Sequence, residues 1–401
     1  MASAASILSL VRQLRSSSRV AQLQAAKTLP RLTENGGDAA AEAVVAAGGV
    51  PALLSLLSTG SGTAQLAAAS TLYNLVDASC TARAAICAAD GVAALLQLLS
   101  SSSPVLPKAL QLAACALAGL IQEPGGPDPV PAILAADGIP VVTALLSHSS
   151  ETAQAGAAGA IAAMAARGSP FTLEQLRLAG AVQAVVRCLL GGRDAVLLRN
   201  AACALTNLMR PEGKPQTAVD AAASGALPFL LRLLDSSDGS KYYFEAAAGA
   251  LCNMCGLLDL VKQREQQQLA AIKAELMLAG AAAATARLLR RQGSTVVQHA
   301  AAAMVQLLAR GDEAASAELV AAGVMTSLME VDSEDESLQR AVVAAEQCLA
   351  DTSPEAAAVL EAALASESDE AVPEHASLGS QSEPRCGWCQ RGTVSTEQGH
   401  V

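Results

Sequence analysis

Two Cys-x-x-Cys pairs come closest to chemistry by residue type and spacing: Cys252-Asn-Met-Cys255 and Cys386-Gly-Trp-Cys389. Two thiolates at that spacing supply half of a structural zinc site, which needs four ligands. His375 and His400 lie near the second pair, but neither has a companion ligand. A thioredoxin-like pair needs a βαβ context, and the chain carries no strand signal. Cys252 and Cys255 fall on an apolar helical pattern, where free cysteine acts as a small hydrophobe. Core packing is expected there, and the pair beside Trp388 reads equally as a short linear motif. His148 and His299 complete the histidines, and His299 has no nucleophile or carboxylate at helical spacing beside it. Gly213-Lys214 lacks the leading glycine of a phosphate-binding loop. No catalytic residue, metal site or cofactor is expected.

The elements that position these residues come from a repeat. Residues 47–75 read AGGVPALLSLLSTGSGTAQLAAASTLYNL. Gly48-Gly49 breaks the chain, and Pro51 suits the first turn of a helix because its missing N–H has no partner there. Leu53, Leu54 and Leu57 form a helical stripe. Ser58 to Gly62 is turn chemistry, and a second helix runs to Leu75. Glycine-led copies recur at Gly91, Gly138, Gly180, Gly225, Gly280 and Gly323, spaced by 42, 47, 42, 45, 55 and 43 residues. The closing helix recurs as well, for instance RNAACALTNL at 199–208 and EAAAGALCNM at 245–254. A helix pair this short cannot bury its apolar face alone, and a period of ~40–47 residues marks stacked helical repeats.

About eight units are expected, ending near Thr33, Ser79, Gln122, Arg167, Arg210, Leu258, Arg310 and Ala350. The solenoid then spans residues 1–353 with an incomplete first repeat, 354–365 form a capping helix, and 366–401 are a disordered acidic and polar tail. Lys262 to Gln268 should lengthen one first helix, and the acidic run 330–336 reads as a solvated turn. The start of the chain has two readings. Residues 1–33 hold Arg12, Arg15, Arg19, Lys27 and Arg31 and no acid. That composition fits an organelle transit peptide, whereas Leu23, Ala26, Leu29 and Leu32 keep the helical spacing of a first repeat.

Composition narrows the function. Hydrophobic residues make up 52% of the chain but aromatics only 2%, so the apolar mass is Ala, Leu and Val and the fold is all-α. A net charge of −11 with few aromatics argues against nucleic acid, which demands a basic face and stacking platforms. No apolar run reaches the ~18–20 residues of a membrane span, so no membrane insertion is expected. Most of the ten cysteines sit on apolar stripes, which implies a reducing compartment.

Gly-x-Val-Pro-x-Leu-Leu at 48–54 and Ala204-Leu205-Thr206-Asn207-Leu208 resemble the second and third helices of the armadillo-repeat family. The resemblance covers roughly residues 5 to 352. It implies a right-handed superhelical solenoid whose third helices line a concave groove. There the Asn of the closing motif contacts the backbone of an extended peptide, since its amide offers donor and acceptor together. That column reads Arg31, Asn74, Gly119, Ala163, Asn207, Asn253, Gln306 and Gln347. Four residues earlier it reads Lys27, Ser70, Cys115, Gly159, Cys203, Gly249, Ala302 and Val343. Members of the importin-α kind place Trp at this second position, and Trp388 is the chain's single Trp. Arg199 adds a cation one turn before Cys203, Glu245 an anion at the matching place, and His299 lies on another third helix. The expected groove residues are Lys27, Arg31, Asn74, Arg199, Asn207, Glu245, Asn253, His299, Gln306 and Gln347. The asparagines have an alternative role in hydrogen bonds between repeats.

The expectation is a non-enzymatic, monomeric scaffold or adaptor that holds an extended segment of a protein partner. It would be cytoplasmic or nuclear. The alternatives are a transport adaptor of the importin-α kind and an organelle-targeted scaffold.

Overall fold

Every complete repeat needs a sharp corner between its first and second helices, and the sequence supplies residues that tolerate a left-handed backbone there. In the computed structural model, which describes residues 4–101, 106–123, 128–235, 241–261, 266–291 and 294–368, those corners are at Gly48, Asp90, Asp137, Gly180, Gly225, Gly280 and Gly323. In two repeats the left-handed residue is therefore the aspartate before the expected glycine. Gly91 and Gly138 serve a different need. A Cβ on Gly138 would meet Leu96 at 2.7 Å, so glycine stands there for close approach.

The helices fall into two compact units. The first, Met1–Leu208, contains α1 (Ala4–Leu14), α2 (Arg19–Ala46), α3 (Gly49–Thr59), α4 (Gly62–Ala78), α5 (Cys80–Ala88), α6 (Gly91–Leu99), α7 (Pro107–Gln122), α8 (Val130–Ala135), α9 (Gly138–Leu145), α10 (Glu151–Arg167), α11 (Pro170–Leu178), α12 (Ala181–Gly191) and α13 (Ala195–Leu208). Gly37, at φ 51° and ψ −140°, breaks α2 into the third helix of an opening repeat and the first helix of the next. α1 buries Ile7, Val11 and Leu14 against that opening third helix. First and second helices meet at 87° between α2 and α3 and at 78° between α5 and α6.

The third helices α2, α4, α7, α10 and α13 pack in a row. Their cores are leucine and alanine: Leu72, Leu75, Leu117, Leu120 and Ile121 are fully buried. Each large aliphatic so buried contributes about 1.5–3 kcal/mol. α10, ETAQAGAAGAIAAMAAR, is enclosed on nearly all sides. Its small residues let α7 approach so closely that a Cβ on Gly156 would lie 2.7 Å from the Gln111 carbonyl oxygen.

The second unit, Met209–Val401, repeats the plan with α14 (Pro215–Ala223), α15 (Ala226–Asp235), α16 (Lys241–Asp259), α17 (Gln266–Leu278), α18 (Ala281–Leu289), α19 (Thr295–Ala309), α20 (Glu313–Ala321), α21 (Val324–Met329), α22 (Glu336–Thr352) and α23 (Pro354–Ser368). Asp312 and Asp335 accept hydrogen bonds from backbone N–H groups at the starts of α20 and α22, which fixes where those helices begin. Phe244 is buried with the Arg291 guanidinium 4.3 Å from its ring centre, and Arg291 also donates to the Leu234 carbonyl at 2.7 Å. The longest of the first helices in this unit is α17, with 13 residues against 9 in α14 and α20.

α23 runs to Ser368, three residues past the cap expected from sequence. The expectations for 369–401, including Cys386 and Cys389, lie outside the described residues. Among the described residues there is no strand, no group of three or more potential metal ligands, and no single helix long and apolar enough to cross a membrane.

Candidate functional site

The third helices leave a narrow exposed stripe because the rest of each is sealed by its neighbours. In the first unit the stripe crosses Ser70 on α4, Cys115 on α7, Gly159 on α10 and Cys203 on α13, all half-buried. Lys27 and Arg31 on α2 are exposed beyond it. Asn74 and Asn207 are half-buried along one edge.

Their amides are already used. Asn74 Nδ2 donates to the Pro30 carbonyl at 2.9 Å and to Thr33 Oγ1 at 3.1 Å. Asn207 Nδ2 donates to the Ala162 carbonyl at 3.0 Å. These bonds tie each third helix to the preceding one. Asn200, which the sequence reading did not single out, does the same to Ala155 at 2.9 Å. Asn200 and Asn207 are two turns apart, as are the carbonyls they meet, so α13 grips α10 at two points. The small surface of α10 permits this: a Cβ on Gly159 would come within 3.2 Å of Asn200 Nδ2. The Oδ1 atoms of Asn74 and Asn207 accept no hydrogen bond from the described residues. They remain available to a donor from outside.

Burial sets the chemistry of the two stripe thiols. It pushes Cys115 up to about 11 and raises Cys203 as well. Both are therefore largely protonated at neutral pH and react slowly rather than as activated nucleophiles. Lys108 and Arg199 oppose the rise at Cys115, and Arg199 opposes it at Cys203. Arg199 is half-buried on α13. Tyr73, half-buried on α4, is raised chiefly by burial and next by the Asp77 carboxylate.

In the second unit the row is buried at Gly249 and Ala302 and exposed at Val343. Glu245 is exposed and Asn253 half-buried on α16. Gln306 Nε2 donates forward to the Ala341 carbonyl of α22 at 3.0 Å, and Gln347 is exposed with its amide on Asp351 at 2.7 Å. His299 departs from its expected place in the groove: it is 6% exposed. The Asp335 carboxyl is held low mainly by the Ser337 hydroxyl and backbone N–H, with His299 the smallest contributor.

A second set of polar residues escaped the sequence reading. Glutamines near the starts of third helices bind the chain just before them: Gln22 to the Ser16 carbonyl, Gln65 to Leu57, Gln154 to His148, Gln298 to Leu289 and Gln339 to Ser333, at 2.6–3.0 Å. They satisfy carbonyls at the ends of second helices (Leu57, Leu289) or in the connections that follow them (Ser16, His148, Ser333). The recurring Gln was visible in the sequence eight or nine residues before the Asn column.

The fold and this face define an α-solenoid of three-helix repeats with a lined third-helix surface. The family profile of the Armadillo/beta-catenin-like repeat matches residues 38–77, which span the second half of α2, α3 and α4. No curated protein matches the chain. Among solved structures, an engineered protein is 27% identical, with 89% of this chain and 92% of that one covered and a TM-score of 0.62. A designed armadillo repeat protein is 22% identical over 62% of this chain and 99% of that one, at a TM-score of 0.54. Another, solved in complex with the peptide (KR)4, is 24% identical over 64% and 98%, at 0.50. The chain belongs to the armadillo-repeat family.

Proposed function

We propose that this protein is a non-enzymatic scaffold that holds an extended segment of a protein partner along the third-helix face of its first unit. The observation that carries the reading is the half-buried stripe Ser70–Cys115–Gly159–Cys203, flanked by Asn74 and Asn207 with unpaired amide oxygens. An extended peptide presents a backbone N–H every second residue on one side, which suits acceptors set at intervals along a face. The designed relative with a bound peptide supports the same use of the fold. The absence of Trp from the second column makes the importin-α-like alternative the poorer fit.

The test is an array of extended 12-residue peptides probed with the full chain. Peptides that bind are then titrated against Asn74→Ala/Asn207→Ala. Each hydrogen bond is worth ~1 kcal/mol, so the double variant should bind roughly 10- to 30-fold more weakly. Unchanged affinity in a variant with the parent's helical signal would place the asparagines in structure alone and remove the reading.

A further inference from the structure

Five arginines among the described residues are half-buried: Arg83, Arg177, Arg199, Arg210 and Arg291. Four have partners. Arg83 pairs with Glu123 at 3.1 Å, Arg177 with Glu174 at 2.9 Å and Arg210 with Glu212 at 3.2 Å, and Arg291 donates to the Leu234 carbonyl. Arg199 has no hydrogen bond or ion pair with any described residue. Its guanidinium nitrogens are not buried, so its five N–H donors are open to an acceptor from outside.

Its setting accounts for the lack of a carboxylate partner among the described residues. The two acids near the start of α13 are committed to capping. Glu151 Oε2 accepts from the backbone N–H of Asp194 at 2.6 Å and of Arg193 at 3.1 Å, and Asp194 Oδ1 accepts from Leu197 at 2.9 Å. The next residue, Asn200, reaches the small-residue surface of α10, donating to the Ala155 carbonyl at 2.9 Å close to Gly159. The charge of Arg199 acts across that floor on Cys115 of α7 as well as on Cys203 of its own helix. Arg199 thus lies one turn before Cys203 on α13, within electrostatic reach of both stripe thiols.

We propose that Arg199 is the specificity-determining residue of the first unit's face and takes an anionic group, a carboxylate or a phosphate, from an extended partner segment seated over Gly159. The planar fork of the guanidinium matches either anion with two parallel hydrogen bonds. The inference rests on the peptide-binding reading of this face and adds the sign of the ligand. It also sets this chain apart from the designed relative that holds the cationic peptide (KR)4.

The probes are three capped octapeptides: (Glu-Ser)4, the same sequence with phosphoserine at each glutamate, and (Lys-Arg)4. Each is titrated against the full chain and against Arg199→Glu and Arg199→Lys, with maleimide labelling of Cys115 and Cys203 as the position readout. At least one anionic peptide should bind and slow labelling of both thiols. Arg199→Glu should weaken it roughly 10- to 100-fold, the span of a charge-assisted bond, and Arg199→Lys less. The stronger of the two anionic peptides identifies the source of the charge. If an anionic peptide protects the thiols with the same affinity in Arg199→Glu, this inference is wrong while the face stands. If (Lys-Arg)4 protects the thiols in preference to both, the sign is wrong. If no peptide protects them, the peptide-binding reading falls with it.

Discussion

The two units are built from the same three-helix repeat and differ in charge and in which positions of the third-helix row they bury. Residues 1–208 hold 12 Lys and Arg against 11 Asp and Glu, whereas residues 209–401 hold 14 against 26. The chain's acidity therefore belongs to the second unit. At matching positions eight residues before an asparagine, the first unit has Arg199 and the second has Glu245. The first unit leaves Cys115, Gly159 and Cys203 half-buried along its stripe, and the second buries Gly249 and Ala302 but exposes Val343 in the corresponding row. One repeat plan thus carries a cation on the first unit's third helices and an anion on the second's. The lesson is that the fold fixes where a ligand would lie, while a few side chains on the third helices decide its charge.

Two glycines sharpen the contrast most strongly. Gly156 in α10 lies against the α7 backbone, with a built Cβ at 2.7 Å from the Gln111 carbonyl oxygen and 2.8 Å from its Cα. Gly256 in α16 is exposed, with nothing within 4 Å of a built Cβ. Gly156→Val should destabilise the protein by about 1–3 kcal/mol or more through overpacking against a backbone that has little room to retreat. Gly256→Ala should stabilise it by about 0.5–1 kcal/mol, the usual gain for alanine over glycine inside a helix. Denaturant unfolding of both variants checks the pair, and equal effects of the same sign would break the contrast.

A smaller effect separates the units by pH. Burial lifts the Cys115 thiol from 9.0 to about 11, so the folded state keeps a proton that the unfolded chain gives up. That contribution is complete below pH 9 and is lost as pH rises from 9 toward 11. Cys115→Ala should therefore show a shallower alkaline loss than the parent in unfolding free energies measured from pH 8 to 11. Lys273 in the second unit titrates with the opposite sign. Burial lowers it below 10.5, so its contribution to stability grows as pH climbs through the lowered value toward 10.5. An unchanged alkaline slope in Cys115→Ala would show that the stripe thiol is better solvated than its position on α7 implies.

The repeat period, the all-helical composition and the third-helix column were legible in the sequence because each rests on side-chain spacing. What was not legible depends on backbone atoms. Asn200, Gln65 and Gln298 all bind carbonyls, which every residue possesses, so no partner type marks the contact in the sequence. The left-handed corners show the same limit. Asp90 and Asp137 take a conformation that the glycine rule assigns to their neighbours, since a short polar side chain tolerates it too. His299 was read as a groove residue because it lies on a third helix. Its burial depends on what packs against α19, which the sequence of α19 alone does not encode.

The central claim is that a partner lies along the stripe of the first unit. Differential thiol labelling tests it most directly, because Cys115 and Cys203 stand on that stripe while exposed Cys80 stands on α5, outside it. Maleimide labelling of the full chain, resolved by peptide mapping, is measured with and without a peptide selected from the array. The account predicts that bound peptide slows modification of Cys115 and Cys203 and leaves the rate at Cys80 unchanged. Protection of Cys80 with no change at Cys115 and Cys203 would contradict it and place the partner on another surface.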